Sequence, residues 1–305
     1  MHLLQICNVG NIVGGTAACA WGVVRAFPDC RHTLLFRSAP TIETRKVFHS
    51  CEGVDRVCHG QHLSSQEVSK TKPDLVLMHN LSASAIETPL RVPSFQYVHS
   101  QISPALADHT FWCSHWLAER FGWPDSKVVW QGVPQSTGEP RQIRTKRQEP
   151  LIVGRICTPT VAKWPPELIP FYKEMAGRFP EIHWEFVGCP ENHQELLNAA
   201  CNGRALFHSA GWAARKHLTR WHVLLYHHPH MTESFGRTVA EAKRVGCVPV
   251  VDHLGGFVEQ ISPGHGFLCA NPEEFANALE KLSDPDKWIE VSTVAQEEAE
   301  QAASS

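Results

Sequence analysis

Two successive series of short apolar runs, each alternating with segments of helical period, predict an α/β protein built from two Rossmann-like parallel sheets. A break between the series predicts two domains rather than one. Residues 135–150, QSTGEPRQIRTKRQEP, lack apolar periodicity and carry Gly, Pro and scattered charge, which is linker composition. In a chain of 305 residues each half is long enough to bury its own core. Two such sheets are expected to face each other across a cleft, with ligands beyond the carboxyl ends of the strands.

In the first half the strand candidates are 3–9, 33–36, 74–79, 94–99, 110–114 and 127–131, with helical patterns TAACAWGVVRAF and HWLAERF between them. After the linker the pattern restarts with strands at 151–156, 183–188, 204–208, 222–226 and 247–252, and helices near 165–178, 191–200 and 236–245. At the C-terminus Trp288, Val291 and Val294 or Ala295 share one helical face, so that segment packs, whereas EEAEQAASS frays. The domains therefore read as 1–134, a linker at 135–150, 151–285, and a C-terminal helix at 286–305 for which packing back on the first domain is one option.

The formal charge is -3 with no sustained run of one sign, which disfavours nucleic acid as a partner and makes any anion site local. The eleven cysteines include no C-x-x-C pair, and Cys7, Cys113, Cys189 and Cys247 lie in or beside apolar runs as small buried hydrophobes. That usage favours a reducing cytoplasm. The N-terminus has no basic region followed by a cleavage site, and no apolar run approaches the ~18 residues of a membrane span. The basic group Arg141, Arg144, Lys146 and Arg147 reads as a solvated linker, with peripheral contact to acidic lipid as the alternative.

The segment HMTESFGRTVAEAKRVGCVPVV, residues 230–251, carries the chemistry. Val239, Ala242 and Val245 share a helix face, Gly246 is placed to end the helix, and Pro249 follows in a strand. The helix start leaves backbone N–H groups without intrahelical partners, so Ser234, Phe235 and Gly236 form an anion pocket that glycine lets a ligand approach. Glu233 precedes that pocket and Glu241 lies about two turns beyond it. A ligand with a sugar, a diphosphate and a ribose in that order has matching parts.

These residues resemble a known family. ESFGRTVAEA, followed by GCVPVV and GGFVEQI, is similar to the glutamate-x7-glutamate signature of retaining GT-B glycosyltransferases of the GT4-like group (glycosyl transferases group 1). The likeness extends to VGGTAA (13–18), QYVHS (96–100), ADHTFWCSHWLAERF (107–121), KVVWQGV (127–133), LIVGRICTPTVAKWP (151–165) and GFLCANPEEFANAL (266–279). The resemblance implies a GT-B fold with the donor in the C-terminal half. It also implies that Glu233 contacts hydroxyls of the donor sugar, Glu241 holds the ribose diol, and Arg155 and Lys163 neutralise the departing diphosphate. His99 would face the sugar from the first domain, and Gly14 and Gly15 would let the first loop come close to the sugar phosphate. The implied reaction is a same-face, metal-independent transfer from a UDP- or GDP-sugar to an unidentified acceptor, with no protein nucleophile and no cofactor. The sequence departs from the family at ICTPTVA between Arg155 and Lys163, at WPP after the lysine, and at YHHPH before the glutamate.

Plainer readings stand beside these. An isolated Glu233/Glu241 pair is ordinarily solvated, and His99 could simply close a strand by bonding to backbone. His222, His227, His228 and His230 fit no standard metal signature, and no metal is expected. DPD at 284–286 reads as a loop and helix start. A dinucleotide oxidoreductase is disfavoured because NVGNIVGGT lacks G-x-G-x-x-G and the second strand ends in Phe36-Arg37. The alternative kept beside the enzyme is a non-catalytic nucleotide-sugar-binding or scaffold relative in a glycan-assembly complex.

Overall fold

The computed structural model describes residues 1–60, 64–86, 89–133 and 150–304. The chain divides into two compact units, Met1–Gly132 and Val133–Ser305. The expected linker at 135–150 lies outside the described residues, apart from Pro150.

The first unit holds strands β1 (His2–Cys7), β2 (Arg31–Phe36), β3 (Val54–His59), β4 (Leu75–His79), β5 (Ser94–Val98) and β6 (His109–Trp112) in one six-stranded sheet of order β3-β2-β1-β4-β5-β6. All its neighbours pair in parallel. Helices α1 (Gly15–Ala26), α2 (Ile42–His49) and α3 (Ser65–Lys70) lie between them in sequence, and α4 (His115–Arg120) follows β6. Thr41, Ser64 and Ser114 cap the last three, each accepting a hydrogen bond from the backbone N–H three residues on. Two sequence expectations fail here. β3 was not expected, because as the outermost strand it exposes Asp55 and Arg56 and buries only Val57 fully, so it has no apolar run to read. The expected strand at 127–131 is instead a 3-10 turn at Asp125–Lys127 followed by a single bridge from Val128 to Trp112.

The second unit repeats the plan with β7 (Ile152–Ile156), β8 (His183–Val187), β9 (Leu206–His208), β10 (Val223–Tyr226), β11 (Val248–Asp252) and β12 (Phe267–Cys269), ordered β12-β11-β10-β7-β8-β9. Each sheet therefore has the doubly wound order in which the chain reverses direction beside its first strand, a position where ligands collect. Helices α5 (Leu168–Arg178), α6 (Glu191–Ala200), α7 (Arg237–Lys243), α8 (Pro272–Ser283) and α9 (Pro285–Ser304) cover this sheet. On one face Phe171, Tyr172 and Met175 of α5 meet Trp164, Trp184 and Phe186. On the other, Trp221 and Phe257 meet Val239 and Ala242 of α7. Gly154 admits the Trp221 indole onto β7, since a Cβ there would lie 2.1 Å from the ring. Each such aromatic burial contributes on the order of 2–3 kcal/mol.

Asp284 accepts from the backbone of Asp286 and Lys287 at 2.8 and 3.2 Å, so DPD starts α9. The expected apolar face of that helix is buried at Trp288, Val291 and Ala295, and α9 packs on α7, α8 and β11. All eleven cysteines are free thiols, and Cys7, Cys113, Cys189 and Cys247 are buried. Among the described residues no helix is long and apolar enough to cross a membrane.

Candidate functional site

In the second unit the reversal of strand order brings the ends of β7 and β10 together. Arg155, near the end of β7, is fully buried. Its guanidinium lies 5.0 Å from the Trp164 ring and 4.5 Å from the Tyr226 ring, and donates to the His227 carbonyl at 2.8 Å and the Lys163 carbonyl at 2.9 Å. Arg155 thus fastens the two loops that carry the other groups. The fork geometry of arginine allows two carbonyls to be held at once, which a lysine ammonium does less well.

Lys163 closes the 3-10 turn Val161–Lys163 and forms an ion pair with Glu233 Oε1. The same oxygen accepts the Tyr226 hydroxyl at 2.6 Å. Burial pushes the Glu233 carboxyl up, but the Lys163 charge and the hydrogen bonds from Lys163 and Tyr226 outweigh it and hold the group below the usual carboxylate range. Burial pushes the Tyr226 phenol well above its ordinary value, so it remains a proton donor. The side chains of Lys163 and Glu233 are each 24% exposed, so this carboxylate and ammonium remain within reach of a ligand, while Tyr226 is buried behind them.

The loop from Tyr226 to Glu233 is held by its histidines. His228 donates from Nε2 to the Ala162 carbonyl at 2.8 Å and accepts at Nδ1 from the backbone of His230 and Met231. Asp252 bonds His227 Nδ1 at 2.7 Å and the His228 backbone at 2.6 Å. His222 accepts from the Ile152 backbone at 2.9 Å, and exposed His230 meets Glu167 at 3.2 Å. The four side chains have separate partners and do not converge on one point.

Gly236 has φ +85°, and a Cβ there would sit 2.3 Å from the Phe257 ring. Backbone 233–236 is clasped by Gly255 and Gly256, with Gly256 N–H donating to the Glu233 carbonyl at 3.0 Å and Gln260 Nε2 donating to the Phe235 carbonyl. Ser234 is half-buried and Phe235 buried. The helix is shorter than the expected 236–245, and Gly246 beyond it has the left-handed φ of +69° that ends it. Glu241 is 6% exposed, 3.1 Å from Arg215 Nε and 3.6 Å from Arg237 Nη2. Arg215 in turn lies over the Trp212 ring at 4.3 Å. Sequence reading missed Arg215 and Tyr226. No local spacing links Arg215 to Glu241, whereas an OH-bearing residue ending the strand before the glutamate loop was a usable signal.

In the first unit Gly14 caps α1 in extended conformation, and its N–H donates to the Asn11 carbonyl at 3.1 Å; Gly15 is the first helical residue. His99 follows β5 and is 9% exposed. Both of its ring nitrogens are engaged inside this unit: Nδ1 is 2.6 Å from Gln131 Nε2, and Nε2 is 3.4 Å from His79 Nδ1. A sugar contact through the ring therefore requires one of these to be given up. The chain continues from His79 Nε2 to Gln5 Oε1 at 2.9 Å, Gln5 Nε2 to His32 Nδ1 at 3.3 Å, and His32 Nε2 to the Phe27 carbonyl at 2.8 Å. With Gln131 Nε2 toward the His99 ring and no ion between His99 and His79, the donors can run in one direction from Gln131 to Phe27. Burial holds His79 neutral, its pKa lowered to about 3. No sequence spacing announces this buried polar chain, which crosses β2, β1 and β4.

Residues 163–301 match the sequence model described as Glycosyl transferases group 1. The match lies within the second unit and covers just under half of the chain. That match begins at Lys163 and includes Tyr226, Glu233 and Glu241. Glycogen synthase of Chlamydia muridarum is 33% identical over 120 residues, 36% of this chain and 24% of that protein, so the likeness spans about a quarter of the curated relative. Anabaena HepE, solved in complex with UDP-glucose, superimposes with TM-score 0.75 at 19% identity, covering 99% of this chain and 95% of the other. Sucrose-phosphate synthase from Thermosynechococcus elongatus does so with TM-score 0.67 at 13% identity, covering 99% and 94%. At these identities the likeness is one of fold, and the fold is GT-B-like.

Proposed function

We propose that this chain is a retaining glycosyltransferase whose donor is a UDP-sugar. The observation that carries the reading is the convergence of Lys163, Tyr226 and Glu233 at the reversal point of the second sheet, inside the family-matched segment. The UDP-glucose complex of Anabaena HepE supports UDP as the nucleotide.

In this reading the ionised Glu233 accepts hydrogen bonds from donor-sugar hydroxyls. Lys163 swings from Glu233 to the diphosphate as the bond from C1 to the phosphate oxygen breaks and its electron pair goes to that oxygen. Backbone N–H groups of Ser234, Phe235 and Gly236 take a share of the new charge. An acceptor hydroxyl bonds to C1 on the face the phosphate leaves and passes its proton to the departing oxygen, with Lys163 and the backbone N–H groups offsetting the charge and no metal required. Glu241 receives the ribose diol by exchanging Arg215. Arg155 acts as a positioning residue through the two carbonyls it holds. His99 orders the segment after β5, where Asn80 Oδ1 accepts from its backbone N–H at 3.0 Å.

One observation favours a second reading, a nucleotide-sugar holder without turnover: Lys163 and Glu233 occupy each other. Thermal-shift titration with UDP, GDP and ADP, followed by a panel of labelled nucleotide sugars, tests both. A UDP-selective shift and donor consumption that vanishes in Glu233→Ala support the transferase. A UDP shift without turnover on any donor selects the holder, and no shift with any nucleotide overturns both.

A further inference from the structure

Around the buried chain of the first unit lies a cluster that takes no part in the bond changes of the transfer reaction. Cys19 on α1, His79 at the end of β4 and His99 just past β5 are 4%, 0% and 9% exposed, and one nitrogen or sulfur atom from each lies within 4.8 Å of the others. We infer that Cys19, His79 and His99 form a binding site for one zinc-type divalent cation, joining α1 to the ends of β4 and β5.

Three features carry the inference. The first is spacing: His79 Nδ1 and His99 Nε2 are 3.4 Å apart, and two nitrogens at the ~2.0–2.1 Å zinc distance in tetrahedral geometry are separated by about that length. The second is the outer ring of partners. His79 Nε2 meets Gln5 Oε1 at 2.9 Å, an arrangement that puts the proton on Nε2 and leaves the Nδ1 lone pair pointing at His99.

On the far side Gln131 completes the same pattern once its amide is reversed. Its Oε1 is buried with no partner among the described residues, while its Nε2 faces His99 Nδ1 at 2.6 Å. Either amide orientation leaves one end unpaired, so the imidazole decides. With Oε1 toward the ring, His99 carries its proton on Nδ1, donates it outward and presents the Nε2 lone pair inward. Each histidine then donates its outer N–H to a glutamine carbonyl oxygen, the orientation second-shell partners impose on metal-bound imidazoles.

The third feature is the thiol. Cys19 supplies a soft ligand of the kind zinc shares with imidazole, and it loses its proton to solvent when the metal binds. Drawing the sulfur in to the ~2.3 Å zinc–thiolate distance requires a shift of roughly an ångström or less. Three protein ligands leave the fourth coordination position to water or a further small ligand. The other cluster of this kind, Glu185 with His208 and His217, is less suited, because Arg220 and Trp221 already occupy the Glu185 carboxylate.

The test uses the full reduced chain, stripped with chelator and loaded with one equivalent of Zn²⁺ or Co²⁺. X-ray absorption of the zinc-loaded wild type is expected to show one sulfur and two imidazole nitrogens. The cobalt form is expected to show a thiolate charge-transfer band that is lost in Cys19→Ser and kept in Cys51→Ser. Gln131→Ala is expected to weaken zinc binding about tenfold or more. Scattering from oxygen and nitrogen alone, a sulfur-rich shell, or a cobalt band indifferent to Cys19→Ser overturns the site. The absorption measurement needs no variant, so a Cys19→Ser chain that does not fold leaves the question decidable.

Discussion

Tyr226 Oη donates to Glu233 Oε1 at 2.6 Å, on the same oxygen that pairs with Lys163. A phenol at the end of β10 thereby orients a carboxylate seven residues later in a loop. Tyr226→Phe is expected to lower stability by about 1–2 kcal/mol in urea unfolding, the range for a hydrogen bond to a charged acceptor. It should also shift the acidic limb of the pH–rate profile upward, because one of the bonds lowering the Glu233 pKa is removed.

The Lys163–Glu233 pair predicts a pH window. Glu233 has a folded pKa below the ordinary carboxylate value of 4.5, so the unfolded chain binds the proton more readily. Its stabilising contribution is fully present above that value and is lost as pH falls through the lower folded pKa. Urea midpoints of wild type and Glu233→Gln should differ by a constant amount from pH 7 to 5. They should converge below about pH 4.5.

Arg155→Lys is expected to be far from conservative. It leaves a cation in a fully buried place and gives up bidentate reach to the His227 and Lys163 carbonyls. A loss of about 3–5 kcal/mol follows from the cost of an uncompensated buried charge, read as a lowered melting temperature. Turnover should fall beyond what the stability loss explains, since both loops are released.

Gly236→Ala places a Cβ at φ +85° and 2.3 Å from the Phe257 ring. Backbone strain and overpacking together predict a loss of roughly 2–4 kcal/mol in thermal or chemical unfolding. Gly122→Ala is the control for φ alone: it has φ +69° with nothing within 4 Å of the added Cβ, and is expected to cost about 1 kcal/mol.

Arg215 competes for the carboxylate assigned to the ribose. Removing it in Arg215→Ala frees Glu241 from its 3.1 Å partner and should tighten UDP binding roughly two- to fivefold in calorimetric titration, the size of a modest ion pair. Glu241→Ala should weaken it. Weaker binding in both variants would assign Arg215 to the nucleotide instead.

Much of this protein was legible in one dimension. Ten of the twelve strands, the helix-ending glycine at 246, the Asp284 start of α9 and the buried Trp288 face all follow from periodicity and short-range capping, which act over a few residues. The signature around Glu233 and Glu241 was legible for the same reason. β3 escaped because an edge strand need not be apolar.

What only the tertiary structure decided was partnership. Arg155 holds carbonyls, Lys163 reaches across seventy positions to Glu233, Arg215 claims Glu241, and His99 joins a chain of buried amides and imidazoles. These pairings depend on which strands lie side by side and where their ends stop. The order β12-β11-β10-β7-β8-β9 sets that adjacency, and nothing in the spacing of residues along the chain encodes it.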